Sequence, residues 1–390
     1  MKKKLLLVVM AVAALTSCSN DDVVDVNNNN STGISFRVSL DKAITRTGNV
    51  IKQENLKSFN VTAVDSNNEN FFTNVSTILT GNSTWTTDSV YFWPSCKLAF
   101  FAYSPQTLAG IVDMTSPEKK ISGFSPAQKV SKQKDLVISY NEGTKADNEK
   151  TGVAMNFKHA LSQIEVKAKC SNSKVKIEIL GVKLVNMATK ADFTFPSVET
   201  NASYILSQDR WSNRSGENSH LNAYMIRGTN PVTLNATAQS IMFGENNFML
   251  IPQRLTKWND SIDAQKGAYL SVLCRISSLN DSNKEILVYP QPTADNDKKG
   301  RYAFSAVGIG TNWEPGKKYT YTLNFCDNGG GAGKLDPNPT DPTNPTDPSI
   351  DPDPIPGGNG GGSIMGNPIT FTVTVDKWGE PDGEGNDITM

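Results

Sequence analysis

Two stretches at opposite ends of the chain carry one pattern of apolar and polar positions. Near the start stands Ile34-Ser35-Phe36-Arg37-Val38-Ser39-Leu40, and near the end Ile369-Thr370-Phe371-Thr372-Val373-Thr374-Val375. In each, an apolar residue falls at every second position, the period of a strand with one face buried and one in water. The buried faces would read Ile-Phe-Val-Leu and Ile-Phe-Val-Val, nearly the same shapes in the same order. A groove lined for one would accept the other, so the pair predicts a chain able to exchange a strand with a neighbour. The plainer alternative is two ordinary strands of one sheet, since this alternation is common β chemistry.

Between these ends the pattern predicts many short strands. Phe59, Val61 and Ala63 alternate with polar residues; Val90-Tyr91-Phe92-Trp93 is stopped by Pro94; Leu98 to Tyr103 is an apolar run; Asp135 to Tyr140 is another strand. Phe157 to Leu161 leads into Ile164, Val166 and Ala168, then Val175, Ile177 and Ile179. Further strands are expected at Phe193-Thr194-Phe195, Tyr204-Ile205-Leu206, Val232 to Leu234, Phe248 to Ile251, Tyr269 to Ile276, Ile286 to Tyr289 and Tyr319 to Phe325. No convincing amphipathic helical window interrupts them. Short strands at even spacing, with Gly, Asn and Pro between them, predict an all-β chain of two β-sandwiches. Their spans are 33–158 and 159–326, the boundary falling near 155–165. Residues 327–368 follow as a Pro/Gly/Asp-rich linker, holding eight of the twenty prolines between Pro337 and Pro356. Such a tract buries little apolar area and is expected to be disordered. The last strand and its tail occupy 369–390.

Composition narrows the function. The chain has 390 residues, 37% of them hydrophobic, and a formal net charge of −1. That suffices for cores and argues against nucleic-acid binding, which needs a basic footprint. Lys2 to Lys4 precede an apolar run from Leu5 to Leu15 that is too short to span a bilayer, and Leu15-Thr16-Ser17-Cys18 resembles a bacterial lipobox. Residues 1–17 are therefore expected to be an export signal, with Cys18 lipidated and leading the mature chain. Ser19-Asn20-Asp21-Asp22 is similar to tags that sort lipoproteins to the outer face of the outer membrane. Residues 18–32, with four consecutive Asn, read as a flexible tether.

Candidate chemistry is sparse. His159 and His220 are the only histidines, and neither sits near a nucleophile motif or a carboxylate pair, so neither catalytic residues nor a cofactor is expected. His159 is expected to hydrogen-bond to backbone at the junction of the two bodies. Tyr91, Phe92, Trp93, Phe100, Phe101 and Tyr103 could form a sugar-stacking platform, but such alternation more often packs a core. The Asp-Pro run from Asp336 lacks the Gly-turned loop and closing Glu of a calcium site, and Gly329 to Lys334 lacks phosphate-loop spacing, so no metal is expected. Cys96, Cys170, Cys274 and Cys326 could pair in three ways in an oxidising compartment, or could be buried as small hydrophobes.

Several phrases in order resemble the FimA-like/Mfa-like fimbrillin family of anaerobic, Bacteroidales-type Gram-negative bacteria. They are the lipobox, Tyr91-Phe92-Trp93-Pro94, Phe100-Phe101-Ala102-Tyr103-Ser104-Pro105, Phe157-Lys158-His159-Ala160-Leu161, Phe248-Met249-Leu250-Ile251-Pro252-Gln253, and Trp313-x-Pro315-Gly316-Lys317-x-Tyr319-x-Tyr321. The resemblance covers about residues 1–326 and 367–378. It implies transthyretin-like sandwiches, a lipid-anchored, surface-exposed precursor, and fimbriae assembled with other fimbrial subunits. The resemblance implies that assembly follows removal of the first strand by an Arg-specific protease, a neighbour's last strand then filling the vacated groove. Arg46, flanked by Thr45, Thr47 and Gly48, is the candidate cut. Ile34, Phe36, Val38 and Leu40 would leave, and Ile369, Phe371, Val373 and Val375 would be donated. The long linker departs from the family pattern and leaves stalk, tip and accessory roles open. The alternative function is a non-polymerising, lipid-anchored glycan-binding protein of the same fold.

Overall fold

The computed structural model describes residues 33–40, 50–81, 83–217, 219, 222–244, 246–259, 266–292, 300–326, 331–378 and the backbone of 386–388. In chain order the strands begin with β1 (Ser35–Leu40), β2 (Ser58–Val64), β3 (Asn70–Thr80), β4 (Thr84–Thr87), β5 (Leu98–Ser104), β6 (Val112–Asp113), β7 (Lys120–Phe124), β8 (Val137–Gly143) and β9 (Val153–His159). Next come β10 (Ser162–Lys169), β11 (Val175–Val185), β12 (Lys190–Thr194), β13 (Trp211–Ser215), β14 (Tyr224–Thr233), β15 (Gln239–Ser240), β16 (Phe248–Leu250) and β17 (Tyr269–Leu279). The series closes with β18 (Glu285–Tyr289), β19 (Ala303–Gly308), β20 (Lys317–Asn324), β21 (Lys334–Leu335), β22 (Thr370–Lys377) and β23 (Asn386–Ile388). Among the described residues the α-helix is limited to one turn, Lys145–Asn148. No helix there is long and apolar enough to cross a membrane.

The strand-rich expectation holds, but the architecture differs from two discrete sandwiches. The N-terminal strands close into a barrel in the order β1-β4-β3-β2-β5-β8-β9. Closure comes from β1, which runs parallel to β9 (Phe36 opposite Val153, Leu40 opposite Phe157) and antiparallel to β4. A closed barrel leaves no sheet edge to be capped. Its core holds Phe36, Phe59, Trp85, Phe100 and Phe157. Two six-stranded sheets, β15-β10-β20-β22-β23 with β16 on β10 and β14-β11-β17-β19-β21 with β18 on β17, face each other over a second core that includes Ile164, Trp313 and Tyr321. A four-stranded sheet, β13-β12-β7-β6, joins residues from both sides of the expected boundary, because β7 pairs with β12. Around it lies a third core with Phe193, Trp211, Met249 and Trp378.

Three local expectations are corrected. Val90 to Trp93 belongs to no strand, and Tyr204-Ile205-Leu206 is not a strand; Ile205 is 84% exposed. The stretch expected to be a disordered linker is, from residue 331 to 368, an ordered strap across the outer face of the β14-to-β21 sheet. Ala332, Leu335 and Ile350 are buried in it, and β21 pairs with β19. Composition misled because the strap's polar groups find partners on that sheet, and a satisfied polar segment needs little apolar burial.

Candidate functional site

The geometry that matters is the pair of seats held by the first and last strands. β1 alternates as its sequence predicts, with Ile34, Phe36 and Leu40 buried, Val38 half-buried, and Arg37 and Ser39 exposed. Ile34 N donates to Tyr91 O at 2.7 Å, which fixes the entry of the strand. The Phe36 ring meets Phe59 at 6.0 Å and Phe100 at 5.5 Å, both edge to face, the favoured aromatic arrangement. Gly152 lets β9 come this close: its φ is +73°, and a Cβ there would stand 3.2 Å from the Phe36 carbonyl carbon. Of the six aromatics weighed as a sugar platform, Trp93, Phe100, Phe101 and Tyr103 are buried in cores, whereas Phe92 is exposed.

β22 docks on its own chain. It lies antiparallel to β20 along its whole length, from Asn324 opposite Thr370 to Lys317 opposite Lys377. Ile369 and Val373 are buried, while Phe371 and Val375 are half-buried, Phe371 facing the Tyr321 ring at 5.9 Å. Past the strand, Trp378 turns into the third core and stacks flat on His159, centroids 4.6 Å apart and planes 3° apart. His159 Nδ1 lies 2.8 Å from Asp135 Oδ2, which also accepts from Ile51 N at 3.0 Å. The expected backbone partner for His159 is thus replaced by a buried carboxylate. The Trp-Pro-Gly phrase before β20 is structural: Gly316 turns at φ +66°, and Trp313 Nε1 donates to the buried Tyr321 hydroxyl at 3.0 Å.

Beneath the strap sit two cations from the sheet. Lys183, fully buried, reaches Asp336 at 2.9 Å and lies 3.7 Å over the Phe304 ring. Burial pushes its ammonium below its ordinary pKa, with Asp336 and Asp341 opposing. Arg227 meets Asp347, and Asp341 at 3.7 Å. Neither cation nor Trp378 figured in the sequence reading. The signal was there for Lys183, the one charge in the otherwise apolar run from Ile179 to Val185, and for Trp378, the next large apolar residue after the last alternation. Cys170, Cys274 and Cys326 form no disulfide, the first two are buried, and burial raises the Cys274 pKa. Cys18 and Arg46 lie outside the described residues. No cluster of His, Cys, Asp or Glu among the described residues could hold a metal.

A barrel closed by the first strand and a sheet that holds a last strand of matching pattern define an all-β protein organised around its two terminal strands. The family model described as fimbrillin-like matches residues 45–337, well over half of the 390-residue chain, and the chain belongs to that family. It is a family of structural and adhesive proteins, not enzymes, set in an outer-membrane, surface-associated fimbrial context with other subunits as partners. Among solved structures, a fimbrial protein from Bacteroides vulgatus is 17% identical, covers 90% of this chain and 100% of its own, and has a TM-score of 0.51. One described as a cell adhesion protein, from Bacteroides uniformis, is 13% identical over 90% of this chain and 99% of its own, with a TM-score of 0.41. Another of that description, from Parabacteroides distasonis, is 12% identical over 90% and 98%, with a TM-score of 0.46. A search of curated sequences finds no match.

Proposed function

We propose that this chain is a fimbrial or accessory subunit, exported as a lipoprotein anchored through Cys18 and assembled by strand exchange after cleavage at Arg46. The supporting observation is the seat of β1. Cutting after Arg46 would remove the anchor and β1 together. Three fully buried side chains and one half-buried side chain, at about 1.5–3 kcal/mol per full burial, would leave roughly 5–10 kcal/mol of gross burial to be recovered. The edges of β4 and β9 would lose their partner as well. A neighbour's Ile369, Phe371, Val373 and Val375 repeat the lost shapes, and main-chain pairing would set their register.

On its own body β22 recovers nearly as much by the same count, roughly 4.5–9 kcal/mol from two full and two half burials. The barrel seat adds a second aromatic pair, worth about 1 kcal/mol. Exchange is therefore only mildly downhill, and self-docking competes with it. The test is to trim purified precursor with an Arg-specific protease, read the new N-terminus by mass spectrometry and follow multimers by size. Trimmed protein should form SDS-resistant multimers, and Phe371→Asp should abolish them. Trimmed protein that stays monomeric at high concentration, or Phe371→Asp protein that polymerises normally, would sink the proposal.

A further inference from the structure

The strap is a closed loop with a neck and a tip. At the neck, Gly331 N donates to Pro368 O at 3.0 Å, Leu335 N to Gly362 O at 2.7 Å, and Ile364 N to Gly333 O at 3.1 Å. A Cβ on Gly331 would fall 1.6 Å from the Asn367 carbonyl oxygen, so the neck closes only over glycine. While it is closed, the start of β22 sits one hydrogen bond from Gly331, and the rest of the loop gives the strand no reach.

The tip repeats a single device, Asp followed by Pro. In four of the five copies the carboxylate accepts the amide two residues on: Asn338 on Asp336 at 2.8 Å, Thr343 on Asp341 at 2.7 Å, Ser349 on Asp347 at 2.8 Å, and Asp353 on Asp351 at 3.1 Å. These turns form locally and pre-shape the segment. The second oxygens of Asp336, Asp341 and Asp347 face Lys183 and Arg227. Lys183 Nζ also donates to Asn338 O at 2.6 Å and Thr340 O at 3.2 Å, so one buried cation binds both backbone and carboxylate of the tip. Tyr302 pairs with the tip on both sides, its N donating to Ser349 O and its O accepting from Asp351 N, each at 2.8 Å.

We infer that the strap is a clamp on the last strand: its neck and cation-held tip keep β22 on β20, and its release frees the strand and supplies the length to reach a neighbour. This rests on the strand-exchange reading, in which the two seats of β22 differ little, so that a modest restraint decides where it sits. Once open, residues 331–368 could extend to roughly 130 Å at about 3.4 Å per residue, enough to pass beyond their own body.

Two variants test the clamp from opposite ends without touching β20 or β22. Asp341→Lys with Asp347→Lys sets like charges against Arg227 at the tip, and Gly331→Val wedges the neck. Amide exchange of Thr370–Lys377 in the untrimmed protein should speed up at least tenfold in both, and multimers of trimmed protein should form at least tenfold faster. The inference is overturned if strap amides lose protection while those of Thr370–Lys377 exchange at the wild-type rate. If the strand loosens and trimmed protein stays monomeric, the clamp stands and strand exchange is what fails.

Discussion

The contrast between Phe36 and Phe371 gives the sharpest quantitative test of the two seats. Phe36 is 1% exposed and meets two aromatic rings, whereas Phe371 is half-buried against Tyr321. Truncating a fully buried Phe to Ala costs about 3–5 kcal/mol, from lost transfer energy plus the cavity left behind. The half-buried Phe371 should cost about half of that, roughly 1.5–2.5 kcal/mol. With a urea slope of about 2 kcal/mol/M, Phe36→Ala should lower the barrel's unfolding midpoint by about 2 M. Phe371→Ala should lower that of the C-terminal sandwich by about 1 M. The two bodies can be followed separately by amide exchange in graded urea, reading β2 and β9 for the barrel and β10 and β20 for the sandwich. A Phe36→Ala shift below about 0.5 M would mean that β1 does not close the barrel core as described. A larger loss for Phe371→Ala than for Phe36→Ala would reverse the ranking of the seats and remove the drive for exchange.

Two further outcomes are expected. Cys18→Ala should leave the precursor unlipidated and lost from the detergent phase; incorporation of labelled fatty acid into that variant would refute the anchor. Acid should loosen the strap. Burial raises the Asp347 carboxyl, but the Ser349 hydroxyl and amide together with Arg227 outweigh it and hold the group below its ordinary 3.8. A carboxylate with a lowered native value stabilises fully above 3.8 and loses that contribution as pH falls through the native value. Amides of residues 341–351 should therefore lose protection below pH 3.8 in a way that Asp347→Asn abolishes, and pH-independent protection would contradict the ion pair's role.

How much could be read without the fold follows from the range of each interaction. The faces of β1 and β22 were legible because a period of two is a local property: neighbours along the strand decide which side chains share a face. Barrel closure was not legible, since it depends on β1 lying parallel to β9, a pairing across more than a hundred residues that no local pattern encodes. The same holds for β7 joining β12, which ties the two halves into one shared sheet. His159 was legible as a structural residue, but its carboxylate and stacking partners come from elsewhere in the chain, Asp135 from just before β8 and Trp378 from just past β22. The strap marks the limit most clearly. Its Pro and Asp content predicts a chain too polar to bury itself, and by itself it is. Tertiary structure decides otherwise because the Asp-Pro turns at Asp336, Asp341 and Asp347 each satisfy one carboxylate oxygen locally, while Lys183 and Arg227 on the sheet beneath bind the second oxygens.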